Sequence, residues 1–445
     1  MSTGRDIQGR IYRAGLFGTR PTVPTSYDEL EAAAQRRMSA EAWSYVYGGA
    51  GLQSTVRANR EALDRVRLVP RYLVDVEQRD LSVDLLGRRL SSPLLLAPIG
   101  VLEMAHPDAE YAVARAAREL DVPMVISTQG SVAMEETART LGATPRLFQL
   151  YWSRDEDVVR SFVQRAESIG ADAIVVTLDT HLLGWRTRDL DLGYLPFARA
   201  EGIAQYTSDP AFRALVEGRV ATPAQGRGAS ADAGEVRPSL RQIPAALRAL
   251  SSMRRHWPEA APGSGSGSGS GRRRVGLGDP RPRAAVETFL DVFSRSDLTW
   301  ADLARLREMT RLPIMVKGVQ HRGDARLALE HGVDGLVVSN HGGRQVDGAI
   351  GSLEALPGVV EEVDGRVPVL FDSGIRGGAD VVKALALGAR AVLVGRPWVY
   401  GLALAGEAGV RAVLEHLLAE LDLTLGLVGV RTAADLGPHV LAGAA

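Results

Sequence analysis

The segment 339–345, with the sequence SNHGGRQ, carries the side chains best suited to chemistry. It directly follows the apolar run 335–338, which predicts a buried strand. His341 can accept a proton near neutral pH, and Arg344 can bind a carboxylate or phosphate through two parallel hydrogen bonds. A proton acceptor and an anion clamp at one strand end indicate an enzyme site for a small acid. The alternative is a loop with a solvated histidine.

The scarcity of lysine singles out a second residue. Of the 52 basic residues only two are lysine, Lys317 and Lys383. In a chain so biased toward arginine, a retained lysine is a candidate for a task that needs a compact ammonium group. Lys383 lies in an amphipathic helical pattern, where chance retention is a sufficient explanation. Lys317 ends a predicted strand and is the stronger functional candidate.

The composition excludes several classes of protein. The 445 residues are 45% hydrophobic and 24% charged, with a net charge of −1. These values are ordinary for a soluble globular protein, and they give no overall attraction to nucleic acid or an anionic membrane. The absence of cysteine excludes disulfides and thiolate metal sites, and no metal site is predicted. Residues 1–20 lack the apolar core of a secretory signal, and no run approaches the ~18 apolar residues of a membrane span, so a cytoplasmic protein is expected.

The pattern of apolar runs predicts the fold. The runs are nearly continuous rather than alternating, as in parallel strands buried on both faces. Helical patterns such as 108–120, 155–169 and 377–387 follow several of them. This alternation predicts a single-domain (β/α)8 TIM barrel within residues 1–445. The eight predicted strands are 94–100, 123–128, 146–151, 173–179, 313–318, 335–342, 368–374 and 391–396.

Two regions fall outside this alternation. Residues 1–90 are expected to form a helical extension that packs against the barrel. Residues 180–312 form a long insertion after the fourth strand and include the Gly/Ser tract 263–271. Because the insertion leaves the face where barrel active sites form, it is predicted to act as a lid. For the tract itself, a dispensable loop or an engineered linker is the preferred explanation.

Polar and glycine residues recur where the predicted strands end, which is where catalytic residues of such barrels lie. Glycine-rich turns after strands seven and eight can present backbone N–H groups to an anion, so they favour a phosphate site. In chain order the candidates are Pro98, Ile99, Gly100, Ser127, Gln149, Tyr151, Thr177, Asp179, Lys317, Ser339, His341, Arg344, Asp372, Gly374, Arg376, Gly395 and Arg396.

Several motifs in order carry a family resemblance. From about residue 27 to about residue 436, the chain resembles the FMN-dependent 2-hydroxy-acid oxidising family. The resemblance implies FMN as cofactor, a 2-hydroxy acid and O2 as partners, and a homotetramer or homo-octamer. Within the family, segments 97–100, 178–190 and the long insertion most resemble lactate 2-monooxygenase. The motifs are SY at 44–45 with GG at 48–49, FQLY at 148–151, GWR at 184–186, VKG at 316–318, SNHGGRQ at 339–345, DSGIR at 372–376 and GRP at 395–397.

The resemblance also implies residue roles. His341 would take the proton of the substrate hydroxyl, and Asp179 would orient the imidazole and stabilise its cation. Asp179 could instead be a structural cap of the following loop. Arg186 and Arg344 would bind the substrate carboxylate. Lys317 would lie near N1 and O2 of the flavin and stabilise negative charge there.

The resemblance assigns the remaining candidates to substrate or cofactor. Tyr45 and Tyr151 would hydrogen-bond the carboxylate or the developing carbonyl, although Tyr45 on its own would be interpreted as a packing residue of an N-terminal helix. The others would contribute to FMN binding: Pro98, Ile99, Gly100, Ser127, Gln149, Thr177, Ser339, Asp372, Gly374, Arg376, Gly395 and Arg396.

Two outcomes of catalysis are open at the level of sequence. A lactate 2-monooxygenase, which converts lactate and O2 to acetate, CO2 and water, is favoured because Gly100 is small and the insertion could close the site. Gln129 and the unusual insertion argue against lactate as the substrate and leave a larger or more polar 2-hydroxy acid open, including an aryl one such as mandelate. The alternative outcome is an oxidase that forms a 2-keto acid and H2O2 from lactate, glycolate or a mandelate-like substrate. A dehydrogenase with another electron acceptor is a further alternative. Other phosphate-binding barrels or a non-catalytic flavin protein would not need His341, Arg186 and Arg344 together.

Overall fold

The computed structural model describes residues 4–222, 242–258, 276 and 278–443. Within them, eight parallel strands close into a barrel, which confirms the predicted (β/α)8 fold. A separate pair of short strands precedes the barrel. The strands are β1 Val83–Leu85, β2 Arg88–Leu90, β3 Leu94–Leu96, β4 Met124–Ile126, β5 Arg146–Leu150, β6 Ile174–Thr177, β7 Ile314–Val319, β8 Gly335–Val338, β9 Val369–Phe371 and β10 Ala391–Val394.

The barrel is built from apolar segments that are buried on both faces. Every residue of β3, β4, β6, β8, β9 and β10 other than Thr177 and Gly335 belongs to the buried hydrophobic core. Sequential strands pair in parallel, with one register shift between Lys317 and Val319 of β7. β10 pairs with β3 to close the ring, with Val392 opposite Leu94. All eight carboxyl ends therefore meet at one rim, which is where the polar strand-end residues lie.

Helices surround the barrel. Among the described residues, none of them is both long and apolar enough to cross a lipid bilayer. The helices are α1 Gly4–Gly15, α2 Tyr27–Arg37, α3 Ala40–Tyr47, α4 Ser54–Arg65, α5 Ala109–Leu120, α6 Met134–Leu141, α7 Glu156–Ser168, α8 Thr187–Asp191, α9 Ala204–Thr207, α10 Pro210–Ala221, α11 Ile243–Arg255, α12 Arg281–Val292, α13 Asp302–Met309, α14 Arg322–Glu330, α15 Ser352–Val363, α16 Gly378–Ala386 and α17 Arg396–Leu427.

The expectation of a helical segment up to residue 90 is wrong for its last part. After α4, the chain forms an antiparallel hairpin in which Val83 pairs with Leu90. Leu86 and Gly87 connect the strands with φ of 50° and 77°, the left-handed conformation of tight hairpin turns. The sequence gives no sign of this hairpin turn, because Leu86 occupies the first turn position, where asparagine, aspartate or glycine is usual.

The described parts of the insertion share a core with the barrel. The Tyr206 ring lies 4.8 Å from that of Phe289 on α12 and 4.9 Å from that of Phe162 on the barrel helix α7. Phe197 packs 5.4 Å from Phe289. These packed rings fix residues beside the barrel mouth. The Gly/Ser tract 263–271 lies outside the described residues, and the lid function stays a prediction.

The last helix is kinked, and three of its glycines lie at or beside the kink. Ala405 and Gly406 have non-helical backbone angles inside α17, with φ of 57° at Gly406. The kink presses Gly409 against Gly401, where a Cβ on Gly409 would overlap the carbonyl oxygen of Gly401. Because α17 begins at Arg396, this contact anchors a helix whose first residue belongs to the barrel mouth.

Gly409→Ala should destabilise the protein by about 1–3 kcal/mol, because the added methyl group meets backbone that cannot rotate away. Gly358→Ala is the matched control: Gly358 lies inside α15, and a Cβ there would have no heavy atom within 4 Å, so this change should stabilise by about 0.4–1 kcal/mol. Urea unfolding measures both. Equal midpoints for Gly409→Ala and the unaltered protein would show that the close approach is not a constraint.

Candidate active site

The carboxyl ends of the barrel strands surround one cavity. Fifteen of the predicted site residues line it. The other four, Asp179, Gln149, Thr177 and Ser339, lie directly behind this lining and hydrogen-bond residues within it or one another. The fifteen lining residues are Tyr45, Pro98, Ile99, Gly100, Ser127, Tyr151, Arg186, Lys317, His341, Arg344, Asp372, Gly374, Arg376, Gly395 and Arg396.

His341 is paired with a buried carboxylate. Its Nδ1 lies 2.8 Å from Oδ1 of Asp179 and 3.3 Å from Oγ1 of Thr180. The carboxylate fixes the tautomer with the proton on Nδ1, which leaves Nε2 as the proton acceptor. Thr180 in turn donates to the same Asp179 oxygen at 2.9 Å. The imidazole is thus oriented and unprotonated at Nε2, the arrangement that a general base requires.

Electrostatics favour a neutral imidazole and an ionised carboxylate in this pair. Burial lowers the pKa of His341, and nearby Lys317 and Arg186 lower it further, while Asp179 partly offsets them. Burial alone would raise the pKa of Asp179, but His341, Lys317 and the hydroxyl of Thr180 lower it to about 2. At neutral pH the imidazole is therefore neutral and the carboxylate ionised.

The loop that carries His341 is held in an unusual backbone conformation. His341 has φ of 57°, and Gly342 and Gly343 follow at 66° and 75°. A Cβ on Gly343 would lie 2.7 Å from the backbone nitrogen of Val56, so only glycine fits there. The His341 N–H donates to Ser339 Oγ at 3.1 Å, which ties the strained turn to the end of β8.

Two arginines form a cationic wall beside His341. Arg344 donates to the backbone carbonyls of Tyr45 and Gly48, the latter at 2.9 Å, and its guanidinium lies 5.0 Å from the Tyr45 ring. Arg186 donates to Oε1 of Gln345 at 2.9 Å. Burial and the nearby Arg186 lower the pKa of Arg344 to about 10. Within the described residues, neither arginine has a carboxylate within 4.0 Å, so both are available to an incoming anion.

The two tyrosines face the same space. Burial raises the pKa of Tyr45, and burial together with Asp179 raises that of Tyr151 to about 12. Both phenols therefore stay protonated and can donate a hydrogen bond. The Tyr151 backbone N–H donates to Oγ1 of Thr128 at 3.1 Å, which fixes the residue just after β5.

Lys317 is buried at the end of β7, with 4% of its surface exposed. Its Nζ contacts Ser339 Oγ at 2.8 Å and Asp372 Oδ2 at 2.9 Å. Burial alone would lower its pKa, but Asp372 and Asp179 raise it, so the ammonium is charged. Lys317 is thus a compact, fixed cation in the cavity wall. This agrees with the interpretation that the chain retains a lysine here because the position needs a compact ammonium group.

A second cationic region lies at the ends of β9 and β10. Arg396 donates to the carbonyls of Val46, Gly342 and Gly48 at 2.9–3.1 Å. Burial lowers the pKa of Arg396 to about 10. The guanidinium of Arg376 lies 4.5 Å from the Tyr27 ring. In the described residues these two guanidinium groups also lack a carboxylate within 4.0 Å.

The structure corrects the interpretation of Gly100. A Cβ at this position would lie 2.5 Å from Cβ of Gln129 and 2.9 Å from its carbonyl oxygen. The glycine is therefore required by the close approach of two loops, rather than by space left for oxygen. Gln129 lines the cavity, and its Oε1 is buried without a hydrogen-bond partner among the described residues.

Sequence reasoning missed several cavity residues. Thr180 follows Asp179 directly and could have been inferred from that position. Leu183, Phe197 and Phe293 come from the insertion. Leu183 directly precedes the GWR motif at 184–186 and could have been inferred from that position. The surroundings of Phe197 and Phe293 give no signal, because these residues reach the cavity only through the packing of the insertion on the barrel.

Comparisons with known proteins agree with this site. Residues 34–443 match the family described as FMN-dependent dehydrogenase. The chain is 42% identical over 429 residues to the FMN-dependent alpha-hydroxy acid dehydrogenase qulF of Penicillium citrinum, covering 96% of this chain and 93% of that protein. It is 35% identical to the L-lactate oxidase of Lysinibacillus sphaericus (strain C3-41), with 93% and 91% covered. The crystal structure of mandelate oxidase with (S)-4-hydroxymandelic acid matches with a TM-score of 0.72 and 35% identity, over 94% of this chain and 98% of that one.

The barrel and its cationic cavity with a paired histidine therefore define a flavin-dependent enzyme. The chain belongs to the FMN-dependent dehydrogenase family. It is an FMN-dependent oxidoreductase that oxidises 2-hydroxy acids.

The residues of the cavity fit FMN. Arg376 and Arg396 offer two guanidinium groups without carboxylate partners to a phosphate. Gly374, with φ of 109°, lets backbone line the same region. Lys317 supplies a fixed cation in the same cavity wall, as the electron-accepting ring requires.

Arg376→Gln should weaken FMN binding about 10- to 100-fold, because it removes a charge-assisted hydrogen bond to phosphate. Arg390→Gln is the control, since Arg390 is exposed and lies outside the cavity. Titration of the stripped proteins with FMN, followed by flavin fluorescence, gives both dissociation constants. Equal constants for the two variants would remove Arg376 from the phosphate site.

Proposed function

We propose that the protein is a 2-hydroxy-acid oxidase that converts an L-2-hydroxy acid with an apolar side chain and O2 to the 2-keto acid and H2O2. This proposal adopts the oxidase outcome in preference to lactate 2-monooxygenase. The relatives described above bear the names of a dehydrogenase and of two oxidases, which supports release of the keto acid.

The observation that carries the proposal is the His341–Asp179 pair beside Arg186 and Arg344, which have no carboxylate partner among the described residues. In the proposed mechanism, Nε2 of His341 removes the hydroxyl proton of the substrate. Asp179 stabilises the imidazolium through the 2.8 Å hydrogen bond. As the carbonyl forms, the Cα–H bond breaks, and FMN, when bound, would supply the acceptor for this hydrogen and its electron pair.

The substrate is oriented by its carboxylate. Arg186 and Arg344 approach from two different loops, so together they fix the rotation of a carboxylate as well as its position. Tyr45 and Tyr151, both protonated, donate to the carboxylate or to the developing carbonyl oxygen. This leaves the hydroxyl-bearing carbon facing His341.

The side chain of the substrate meets an apolar wall. Leu183, Phe197 and Phe293 line the cavity beyond the arginines. The Phe197 ring lies 6.5 Å from the Tyr45 ring in an edge arrangement, which leaves aromatic surface facing the cavity. A bulky aliphatic or aryl side chain fits this wall better than the hydrogen of glycolate.

Lactate 2-monooxygenase is the second candidate. Leu183, Phe197 and Phe293 belong to the insertion and border the cavity, so closure over a retained keto acid has a structural basis. The argument from Gly100 no longer supports it. A cytoplasmic location and a homotetramer or homo-octamer stay predictions.

His341→Ala should slow anaerobic flavin reduction about 10²- to 10⁴-fold while FMN stays bound, because the general base is lost. In the unaltered protein the reduction rate should rise with pH through a pKa below 6.5 and then level off, since the base acts when neutral. Asp179→Asn should shift this rise to lower pH, because Asp179 raises the pKa of His341. The control is His439→Ala, an exposed histidine. Bleaching of His341→Ala at the unaltered rate would disprove the base assignment.

Product analysis separates the two outcomes. The holoenzyme is incubated in air with L-lactate and, separately, with (S)-mandelate, and all products are quantified. We expect 2-keto acid and H2O2 in equal amounts, with the higher kcat/KM for mandelate because of the apolar wall. Acetate and CO2 from lactate would instead establish the monooxygenase, and flavin reduction without oxygen consumption would indicate another acceptor.

A further inference from the structure

Asp189 lies in α8, the short helix that begins directly after Arg186. It follows Arg186 by three residues, and the Leu190 N–H donates to the Arg186 carbonyl at 3.0 Å, which fixes this turn. α8 packs against α3, the helix that carries Tyr45. The Tyr45 carbonyl accepts a hydrogen bond from Arg344. The helix that carries Asp189 therefore connects to Arg186 through its own first turn and to Arg344 through α3.

The carboxylate of Asp189 lacks the partners that a half-buried carboxylate usually has. Its Oδ1 is buried without a hydrogen-bond partner among the described residues. No lysine or arginine nitrogen of the described chain forms an ion pair with it within 4.0 Å. An unsatisfied buried oxygen costs stability. Asp189 is therefore a candidate for a function that depends on its negative charge.

We propose that Asp189 is a positioning residue that reduces the positive charge of the Arg186–Arg344 pair, so that substrate and product carboxylates bind reversibly. The inference rests on the proposed function, in which these arginines bind the carboxylate. Asp189 is not among the residues that line the cavity, so it is not expected to touch the ligand. It acts on the ligand through the field at the two guanidinium groups.

The electrostatic coupling supports this assignment. Burial raises the pKa of Asp189, while Arg344 and Arg186 lower it. Reciprocally, Asp189 raises the pKa of Arg344 and that of Tyr45. The three residues that are electrostatically coupled to the carboxylate are therefore the ones expected to contact the substrate anion.

The charge balance predicts the effect of removing Asp189. With it, the pair and the carboxylate sum to +1, and an anionic ligand brings the site to zero. Without it, the site begins at +2 and holds an anion more strongly. Asp189→Asn should therefore lower the dissociation constant of an anion about three- to tenfold, as expected for a charge at intermediate distance in a partly screened site.

The test compares an anion with its uncharged counterpart. Phenylacetate and phenylacetamide are titrated into the holoenzyme of the unaltered protein and of Asp189→Asn by isothermal calorimetry. Tighter binding of phenylacetate with unchanged binding of phenylacetamide supports the proposal, because a change in packing would alter both ligands. Asp191→Asn, which removes an exposed charge from the same helix, should change neither.

Kinetics give a second readout. In Asp189→Asn the KM for the 2-hydroxy acid should fall about threefold or more, whereas the limiting rate of flavin reduction should change less than about twofold. If Asp189→Asn does not fold or does not retain FMN, Asp189→Ser is measured in the same way. An unchanged anion affinity in a folded variant overturns the proposal.

The same titrations distinguish a failure of the Asp189 proposal from a failure of the proposed carboxylate binding by Arg186 and Arg344. If the unaltered protein binds phenylacetate more tightly than phenylacetamide and Asp189→Asn does not increase this preference, only the role of Asp189 is wrong. If the unaltered protein shows no preference for the anion, the arginine clamp is wrong as well, and both proposals are overturned.

Discussion

The constraint on which this structure depends is the burial of positive charge at one barrel mouth. Lys317 is 4% exposed and Arg186 is 7% exposed, and Arg344 and Arg396 face the same cavity. Of these four, only Lys317 has a carboxylate partner in the described chain. Removing a cation from water costs several kcal/mol unless other groups compensate. The fold compensates only partly, and the remaining positive field makes the cavity a receptor for anions.

The partial compensation comes from a helix end. The backbone carbonyls of Tyr45, Val46 and Gly48 accept hydrogen bonds from Arg344 and Arg396. These carbonyls belong to the last turn of α3 and the residue that follows it, where no intrahelical N–H is available and the helix dipole is negative. The N-terminal segment therefore completes the site instead of only packing against the barrel. Carbonyls lower the cost of burying the guanidinium groups without neutralising them, so the groups can still bind a phosphate or a carboxylate.

Much of this architecture could be predicted from sequence, for identifiable reasons. Parallel strands buried on both faces must be nearly continuous in apolar residues, so all eight barrel strands were visible, and their shared carboxyl ends placed His341, Lys317 and Arg396 together. The hairpin of β1 and β2 was missed because Leu86 gives no turn signal. Phe197 and Phe293 were missed because only long-range packing brings them to the cavity. Gly100 was misinterpreted because sequence cannot show that Gln129 lies against it.

In the proposed mechanism, the positive field that would attract the substrate also sets the protonation state of His341. Burial lowers the pKa of His341, and Lys317 and Arg186 lower it further because each disfavours a second positive charge nearby. Without Asp179 this effect would make the imidazole a weak base, since a group that resists protonation accepts a proton poorly. Asp179, with a pKa of about 2, stays ionised over the physiological range, so in the proposed mechanism it would stabilise the imidazolium. An anionic ligand on the arginines acts in the same direction, because it cancels part of the field that disfavours His341 protonation. In the proposed mechanism, substrate binding and base strength are thereby coupled through charge.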